Sequence, residues 1–266
     1  MEKQVITSQQ NKLIKHIKAL ENKKNRKIHG QFMIEGIRII EECILHEVPI
    51  EYLLYTEDVE AVQGGRELLE RGIKKYKSYE VEKKLFDTLS HTETPQGIMA
   101  VVNIQDHSLD TLNIKEDAFF LILDRIQDPG NMGTIIRTAE AAGADAVVLT
   151  KGCVDPYNNK TIRATMGALF HIPIIEVNDN NTWIEVLKKG HVKLIASNLN
   201  TDYDYTKVDY RGKIAIIIGN EANGIDENLL HYVDLSIKIP ILGKIESLNA
   251  STAAAILIYK AVEHKL

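Results

Sequence analysis

The sequence contains little cysteine, proline or tryptophan: 2 Cys, 6 Pro and 1 Trp among 266 residues. Cys43 and Cys153 lie far apart and offer no disulfide framework, which is typical of proteins from a reducing compartment. With 16 Gly beside the 6 Pro, the chain is neither collagen-like nor dominated by linkers. A hydrophobic fraction of 44% with 26% charged residues excludes global disorder and indicates a folded, soluble protein.

Long apolar runs are also lacking. The longest ones, such as residues 253–259, fall far below the roughly 18 residues needed to span a bilayer. The opening MEKQVITSQQ is polar with no apolar run behind it, so no signal peptide is predicted. We therefore expect a cytoplasmic protein without a membrane partner. The length of 266 residues predicts about two domains.

Acidic residues outnumber basic ones overall, but the charge is unevenly distributed. The net charge is −5, whereas residues 1–30 hold eight Lys and Arg against two Glu, a local charge of +6 that leaves −11 for the rest. Such asymmetry favours a basic arm that contacts nucleic acid. The alternative is a solvated helix face.

Hydrophobic periodicity predicts alternating helices and strands in the first hundred residues. Leu13, Ile17 and Leu20 recur at helical spacing and predict a first helix, with Ser8 as its cap. The predicted strands are 32–35, 50–56, 76–81 and 98–102, and the further helices are 37–47, 60–71 and 82–90. The polar stretch 103–117 places a domain boundary near 106–116, which divides the chain into residues 1–106 and 116–266.

The second half repeats the alternation more strongly. The apolar run 118–123 is typical of a parallel strand that is covered on both faces. A helix over 132–142 follows the loop DRIQDPGN. Further strands are predicted at 145–149, 172–177, 192–197 and 213–219. We expect an α/β domain with a parallel sheet.

Three segments of this second half carry chemically suggestive residues, and the first is Asn131-Met-Gly-Thr-Ile-Ile-Arg137. Side chains on a helix lean toward its N-terminus, so Arg137 lies over Gly133, which has no side chain. The arginine head can therefore reach the loop before the helix. Asn131 is a good N-cap residue, and a purely structural arginine is the alternative.

The second segment, Ile216-Ile-Ile-Gly219-Asn-Glu221-Ala-Asn-Gly224-Ile225, is predicted as a buried strand that enters a glycine turn. Ile225 stands where a P-loop requires lysine, and no GxGxxG is present, so both nucleotide fingerprints are absent. The remaining interpretations are a turn whose backbone approaches a small ligand, with Glu221 as its charged group, or a turn alone.

The third segment is IPILGKIESLNAS, residues 239–251. Ser247 or Asn249 is the predicted cap of the last helix. That helix is apolar almost all round from Ala253 to Ile258, so we expect it to be buried in the core or against another subunit.

In this order the segments resemble the signature motifs of the SpoU (TrmH-like) family of RNA ribose 2′-O-methyltransferases, in the SPOUT superfamily. The motifs are N-x-G-x-x-x-R, I-G-N-E-x-x-G-I and I-P-x-x-G-x-x-E-S-L-N-x-S, and the similarity spans about residues 118–262. More loosely, the N-terminal part resembles the ribosomal-protein-like domain that often precedes them. The resemblance implies an α/β fold: a C-terminal trefoil-knot domain with a parallel sheet, and a smaller N-terminal α/β RNA-binding domain.

The same resemblance implies S-adenosylmethionine as cofactor and a homodimer as the working form. It assigns catalysis to Asn131, Arg137, Glu221, Ser247 and Asn249. It assigns cofactor contacts to Ser197, Asn198, Gly219, Ile239, Leu248 and Asn249. The basic arm then becomes an RNA contact through Lys12, Lys15, Lys23, Lys24, Arg26 and Lys27.

Ribosomal RNA is favoured over transfer RNA as the substrate because the appended N-terminal domain is commoner among enzymes that modify it. A transfer RNA ribose methyltransferase is one alternative. A non-catalytic RNA-binding or assembly factor is another, which the presence of Arg137, Glu221, Ser247 and Asn249 disfavours. The form of the first motif disfavours a base methyltransferase.

Two chemical questions follow. Arg137 either acts as the base or holds a phosphate and stabilises the developing alkoxide; a guanidinium is almost always protonated. The nine His are scattered without an HExxH pattern, and Cys43 with His46 supplies only two ligands, so no metal is expected.

Overall fold

The computed structural model describes residues 5–265. The chain forms two compact units. The first comprises the described residues up to 105 together with 157–162, and the second comprises 106–156 and the residues from 163 onward. Within residues 5–265, no helix combines the length and the apolar character that crossing a membrane requires.

Among the residues that the structure describes, the first unit contains a four-stranded sheet and five complete α-helices. Its strands are β1 (Gln31–Glu35), β2 (Ile50–Tyr55), β3 (Ser78–Glu80) and β4 (Ile98–Asn103). Its helices are α1 (Lys12–Ala19), α2 (Lys23–His29), α3 (Ile37–Leu45), α4 (Gly65–Lys75) and α5 (Lys83–Asp87). The sheet order is β1, β4, β2, β3, in which β4 is antiparallel to both neighbours and β2 is parallel to β3.

The start of the first helix differs from the prediction. Asn11, not Ser8, caps α1, because the Asn11 side chain accepts a hydrogen bond from the backbone N–H of Leu13 at 2.8 Å. Ser8 instead accepts from the N–H of Gln10 in the preceding turn. Serine and asparagine are both good N-cap residues, so the sequence alone does not indicate which of the two begins the helix.

The helix predicted over roughly 60–71 is present but begins and ends later than expected. A short 3-10 turn spans Glu57–Ala61, and α4 begins only at Gly65. Gly64 has a φ of 80°, and a Cβ at Gly65 would lie 1.9 Å from the carbonyl oxygen of Val59. The two glycines therefore separate the turn from the helix, since no other residue fits both positions without strain.

The second unit is built on a six-stranded sheet in which every pair of neighbours is parallel. Its strands are β5 (Phe119–Leu123), β6 (Ala146–Leu149), β7 (Ile174–Glu176), β8 (Lys193–Ser197), β9 (Ile214–Ile218) and β10 (Leu235–Ile237). Their order across the sheet is β10, β8, β9, β5, β6, β7. The parallel sheet predicted from the sequence is confirmed, and all its carboxyl ends lie along one edge.

Helices follow or precede these strands. They are α6 (Pro129–Ala141), α8 (Asn180–Lys189), α9 (Glu227–Leu230) and α10 (Ala250–Val262). The short α7 (Asn159–Thr165) begins in the first unit and ends in the second. The central strands β5 and β9 are buried at every position. Phe119 and Leu121 face one core with α6 and α10, whereas Phe120 and Ile122 face another that holds Trp183 of α8. Burial on both faces explains the unbroken apolar run of β5.

Two helix caps frame the site. Asp128, not Asn131, caps α6, because its carboxylate accepts from the backbone N–H of Asn131 at 2.8 Å and Pro129 occupies the first helical turn. Asn249 caps α10, one of the two predicted possibilities. α10 packs on α6 and β9 through one face, while Tyr259 on another remains 46% exposed.

Candidate active site

Three chain segments meet at the carboxyl edge of the sheet, and the carboxylate of Glu221 joins two of them. Glu221 Oε1 accepts hydrogen bonds from Asn131 Nδ2 at 3.0 Å and from the backbone N–H of Asp128 at 3.2 Å. Its Oε2 accepts from the backbone N–H of Gln127 at 3.2 Å. The turn after β9 is thereby tied to the loop and first turn of α6.

Asn249 connects the third segment to the same chain of hydrogen bonds. Its Nδ2 donates to Asn131 Oδ1 at 2.9 Å. Its Oδ1 accepts from the backbone N–H of Ser251 at 2.9 Å and of Thr252 at 3.3 Å. Because the oxygen of Asn249 is used in capping α10, its nitrogen must face Asn131, whose own nitrogen then faces Glu221. Glu221, Asn131 and Asn249 thus form one chain of hydrogen bonds in which the orientation of each amide is fixed.

These donors act on the ionisation of Glu221. Partial burial by itself would raise the pKa of this carboxyl. The hydrogen bonds from Asn131 and from backbone N–H groups, including those of Gln127 and Asp128, favour the charged form and together lower the pKa below its ordinary value. Glu221 is therefore charged, and both of its carboxylate oxygens already accept hydrogen bonds. Its role is to anchor the turn after β9 to the loop and first turn of α6.

The turn that carries Glu221 depends on Gly219. A Cβ at this position would lie 2.4 Å from both the Gly224 carbonyl carbon and the Ile225 nitrogen. The backbone N–H groups and carbonyls of Asn220 and Gly224 bond each other at 2.9 and 3.0 Å, and Gly224 has a φ of 66°. Only glycine at position 219 lets the chain close this tightly.

The buried side chain of Asn220 holds the turn from within. Its Nδ2 donates to the carbonyl oxygen of Arg125 at 2.8 Å, and its Oδ1 accepts from the backbone N–H groups of Ala222 and Asn223 at 3.0 Å each. Every hydrogen-bonding atom of this amide group has a partner. Asn220 therefore fixes the turn to the loop after β5.

A cleft of about 240 Å³ opens beside the turn. Its wall comes from the ends of β8 and β9, from residues just after β10 and from the segment before α10. Predicted site residues in its lining are Ser197, Asn198, Gly219, Glu221, Ile239, Ser247 and Leu248. Asn249, predicted for both roles, is not among the lining residues because its side chain caps α10.

Arg137 lies on the exposed side of α6, nearly two turns beyond Asn131. Within residues 5–265 its guanidinium makes no hydrogen bond or ion pair. The structure thus brings Asn131, Glu221 and Asn249 into direct contact and leaves Arg137 with donors free for a ligand.

Sequence reasoning missed two residues that support the site, Asp128 and Asn220. The Asp-Pro pair was a usable signal, because aspartate before a proline is a common start of a helix. Asn220 had no such signal. Its side chain acts through contacts with residues almost a hundred positions away, such as Arg125.

The residues of the predicted basic arm differ in their exposure to solvent. Lys12, Lys15, Lys23, Lys24 and Lys27 are exposed in the first unit. Arg26 is instead 7% exposed, and its Nη1 donates to the carbonyl oxygens of Leu20 at 2.6 Å and of Glu21 at 2.9 Å. These carbonyls follow the end of α1, so Arg26 ties α2 to α1 rather than facing solvent, where it was expected.

Comparison with known proteins identifies the family. The sequence model of the SpoU rRNA Methylase family matches residues 118–259. The chain belongs to the SpoU rRNA methylase family. Residues 11–100 of this SpoU chain also match the MRM3-like substrate binding domain.

Relatives of the SpoU chain span nearly its whole length. It is 37% identical over 254 residues to the 23S rRNA (guanosine(2553)-2′-O)-methyltransferase RlmP of Bacillus subtilis, covering 96% of this chain and 97% of that protein. It is 30% identical over 252 residues to the 23S rRNA (uridine(2479)-2′-O)-methyltransferase of Streptomyces viridochromogenes, covering 93% of this chain and 88% of that protein.

Solved structures share the fold of both units. The AdoMet-bound rRNA methyltransferase from Sinorhizobium meliloti superposes with a TM-score of 0.88 at 31% identity, covering 99% of this chain and 98% of that one. The SpoU methyltransferase AviRb from Streptomyces viridochromogenes, in complex with AdoMet, gives a TM-score of 0.89 at 29% identity, covering 96% of this chain and 98% of that one.

The anchoring role of Glu221 predicts a pH-dependent loss of stability in Glu221→Gln. Because the folded-state pKa is lowered, the anion stabilises the fold fully above the ordinary carboxyl range and loses this effect as pH falls through the folded-state pKa. Urea unfolding near pH 7 should show a loss of about 1 kcal/mol, allowing for partial exposure, and this loss should shrink when unfolding is measured at acidic pH.

Glu246→Gln is the matched control, since Glu246 lines the same cleft and has no bonded partner within residues 5–265. Its stability should equal that of the wild type at both pH values. An equal loss in both variants, or a loss in Glu221→Gln that does not depend on pH, would contradict the anchoring role.

Proposed function

We propose that this SpoU chain uses S-adenosylmethionine to methylate a ribose 2′-hydroxyl in ribosomal RNA. The observation that carries this is the convergence of Asn131, Glu221 and Asn249, from three separate segments, beside a cleft. The free arginine, Arg137, is on the same helix as Asn131. The relatives named as 23S rRNA 2′-O-methyltransferases, aligned over nearly the whole chain, support ribosomal RNA over transfer RNA and over a non-catalytic role.

The cleft suits S-adenosylmethionine. Gly219 lies in its wall, and because a Cβ there would collide with the Gly224 and Ile225 backbone, the tight turn presents backbone to a ligand. Gly219, Ile239 and Leu248 would hold the cofactor largely through backbone, with Ser197 or Asn198 nearby. When bound, the cofactor supplies a methyl group on a positively charged sulfur, an electrophile that needs no further activation.

The protein's task is then to align the hydroxyl and to assist loss of its proton. Glu221 is occupied by three donors, so it positions Asn131 rather than accepting that proton. Arg137 keeps its N–H donors free; they hold the neighbouring phosphate and stabilise the alkoxide that develops at the 2′-oxygen. The proton leaves to water. Ser247 lines the cleft and can bond the incoming ribose.

The donor set argues for a reaction without metal. The proposed catalytic residues are two amides, one hydroxyl, one guanidinium and a single carboxylate, Glu221, whose oxygens already accept from N–H groups. Divalent cations prefer several free carboxylate or imidazole ligands, which this set does not offer.

We further propose a homodimer, a trefoil knot and a cytoplasmic location. Tyr259 of α10 is 46% exposed, and a symmetric partner would cover it. The knot is supported by the path of the chain: β10 lies beside β8 at the sheet edge, residues 239–248 then line the cleft, and α10 returns to α6. Unpaired thiols at Cys43 and Cys153 suit the reducing cytoplasm.

The N-terminal unit, matched by a substrate binding domain over residues 11–100, would bind RNA through its exposed lysines. Lys12, Lys15, Lys23, Lys24 and Lys27 are the proposed phosphate contacts. Arg26 is left out because its guanidinium is buried against the end of α1.

Arg137→Ala should abolish methyl transfer without loss of cofactor binding. Transfer from labelled S-adenosylmethionine to unmodified 23S rRNA, mapped by mass spectrometry, should fall about 100-fold or more because a stabilising donor is lost. Calorimetry should show cofactor affinity within about threefold of wild type. Arg137→Lys should recover about a tenth of the activity or less, since a bidentate fork is needed.

Arg211→Ala is the control, because Arg211 is an exposed arginine of the same unit that pairs with Asp209; it should retain full activity. A methylated base instead of a methylated ribose would contradict the proposed reaction. Full activity of Arg137→Lys would show that a point charge suffices.

Replacing Lys12, Lys15, Lys23 and Lys24 together by Ala should weaken binding to all RNAs alike. If all four touch phosphates, the log–log dependence of RNA affinity on salt should flatten by about 3, at roughly 0.7 per contact with single-stranded RNA. The choice of methylated nucleotide should persist, since phosphate contacts position whereas base contacts specify. Filter binding across a salt series measures the slope.

Lys74 and Lys84, two exposed lysines elsewhere in the first unit, provide the matched control when both are changed to Ala. An unchanged slope in the four-lysine variant would leave α1 and α2 as a solvated surface and assign RNA binding to the second unit.

A further inference from the structure

A second cleft, of about 340 Å³, lies at the carboxyl ends of β5, β6 and β7. Asp124 and Arg125 follow β5, Lys151 follows β6, and residues 178–181 lead from β7 into α8. Residues between Asp226 and Tyr232 complete the lining. In open parallel sheets, ligands bind at this edge. The volume falls in the range of small-ligand pockets.

The wall of this cleft is fixed by a buried carboxylate. Asp124 is 1% exposed; its Oδ1 accepts from Thr150 Oγ1 at 2.9 Å, and its Oδ2 accepts from the backbone N–H of Asp226 at 2.9 Å and from Arg125 Nε at 3.2 Å. Arg125 Nη2 also donates to the Gly224 carbonyl oxygen at 3.4 Å. Gly224 lines the first cleft, so the turn it belongs to lies between the two clefts.

Several polar side chains of the lining are free of hydrogen bonds and ion pairs to the described residues. Within the described part of the chain, these side chains make no hydrogen bond or ion pair: Lys151, Asn178, Asn181, Asn228 and Tyr232. The charged groups around them are largely committed, since Arg125 lies 3.2 Å from Asp124 and 3.6 Å from Asp226. The free groups are thus three neutral amides, a phenol and one ammonium.

This set matches a nucleobase better than an isolated phosphate. Amide side chains donate and accept at once, as the edge of a base requires. Tyr232 is 43% exposed, and its ring, with Lys188 Nζ 5.9 Å from the centroid, can stack on a base. Lys151 can meet one backbone phosphate. An isolated phosphate would face the carboxylates of Asp179 and Asp226 in the same cleft.

We propose that the second cleft binds an unpaired nucleobase of the RNA substrate, close in sequence to the methylated nucleotide. The inference rests on the proposed function, and it adds a specificity site that the motif residues do not supply. The base is unstacked from its neighbours, stacks on Tyr232 and is read by the amides of Asn181 and Asn228. The intervening turn places this base near the ribose that faces the first cleft.

An abasic scan tests the proposal. The 23S rRNA fragment that the wild-type protein binds most tightly is prepared with one abasic nucleotide at each position in turn. Affinity by filter binding and methyl transfer are both measured for wild type, Tyr232→Ala and Asn181→Ala. Wild type should lose about tenfold in affinity at one position, the value expected when one stacked base is removed. Tyr232→Ala should bind the intact RNA about tenfold more weakly and show no further loss at that position.

Lys189→Ala, an exposed residue at the end of α8 outside the cleft, should keep the wild-type profile. Identical abasic profiles for wild type and both cleft variants would overturn the proposal. Calorimetry with adenosine and guanosine monophosphate separates the sources: binding of a free nucleotide lost in Tyr232→Ala, with unchanged RNA profiles, would also overturn it. Because affinity alone decides the inference, absent methyl transfer would count only against the proposed function.

Discussion

The close return of the backbone at Gly224 onto Gly219 is the constraint on which the rest of the site depends. A side chain at position 219 would need space that the Gly224 carbonyl and the Ile225 nitrogen already fill, at 2.4 Å from the Cβ position. Closing the turn this tightly leaves backbone exposed on one side, toward the first cleft. On its other flank, Arg125 contacts the turn and borders the second cleft.

The turn also explains why Glu221 and Arg137 have different roles. Glu221 lies in this turn. Its carboxylate accepts hydrogen bonds from backbone N–H groups of the loop before α6 and from the Asn131 side chain. That interaction orders Asn131, which orders Asn249, which caps α10. Arg137 takes no part in this chain of hydrogen bonds. An anion fixed within the fold and a cation left open to the ligand suit a reaction in which negative charge develops on a substrate oxygen.

Much of this could be predicted from the sequence, for identifiable reasons. Each predicted strand lies within two residues of its observed bounds, because strands buried on both faces leave long apolar runs such as 118–123. The three-residue β10 and the four-residue α9 are too short to leave such a signal and were missed. The three segments were found because their order and spacing resemble a family, whereas their contacts with one another depend on tertiary packing. The burial of Arg26 could not be predicted either, because the sequence of a lysine-rich helix does not indicate which of its cationic side chains is buried.

Cofactor binding by Gly219→Ala tests the central claim most directly. If the turn builds the wall of the cofactor cleft, a Cβ at position 219 must displace the Gly224 backbone, and calorimetry should show S-adenosylmethionine bound at least about tenfold more weakly, the loss expected when a preorganised wall is disturbed. Gly243→Ala is the control, because nothing lies within 4 Å of its Cβ position, and it should bind normally. Wild-type affinity in folded Gly219→Ala would contradict the account.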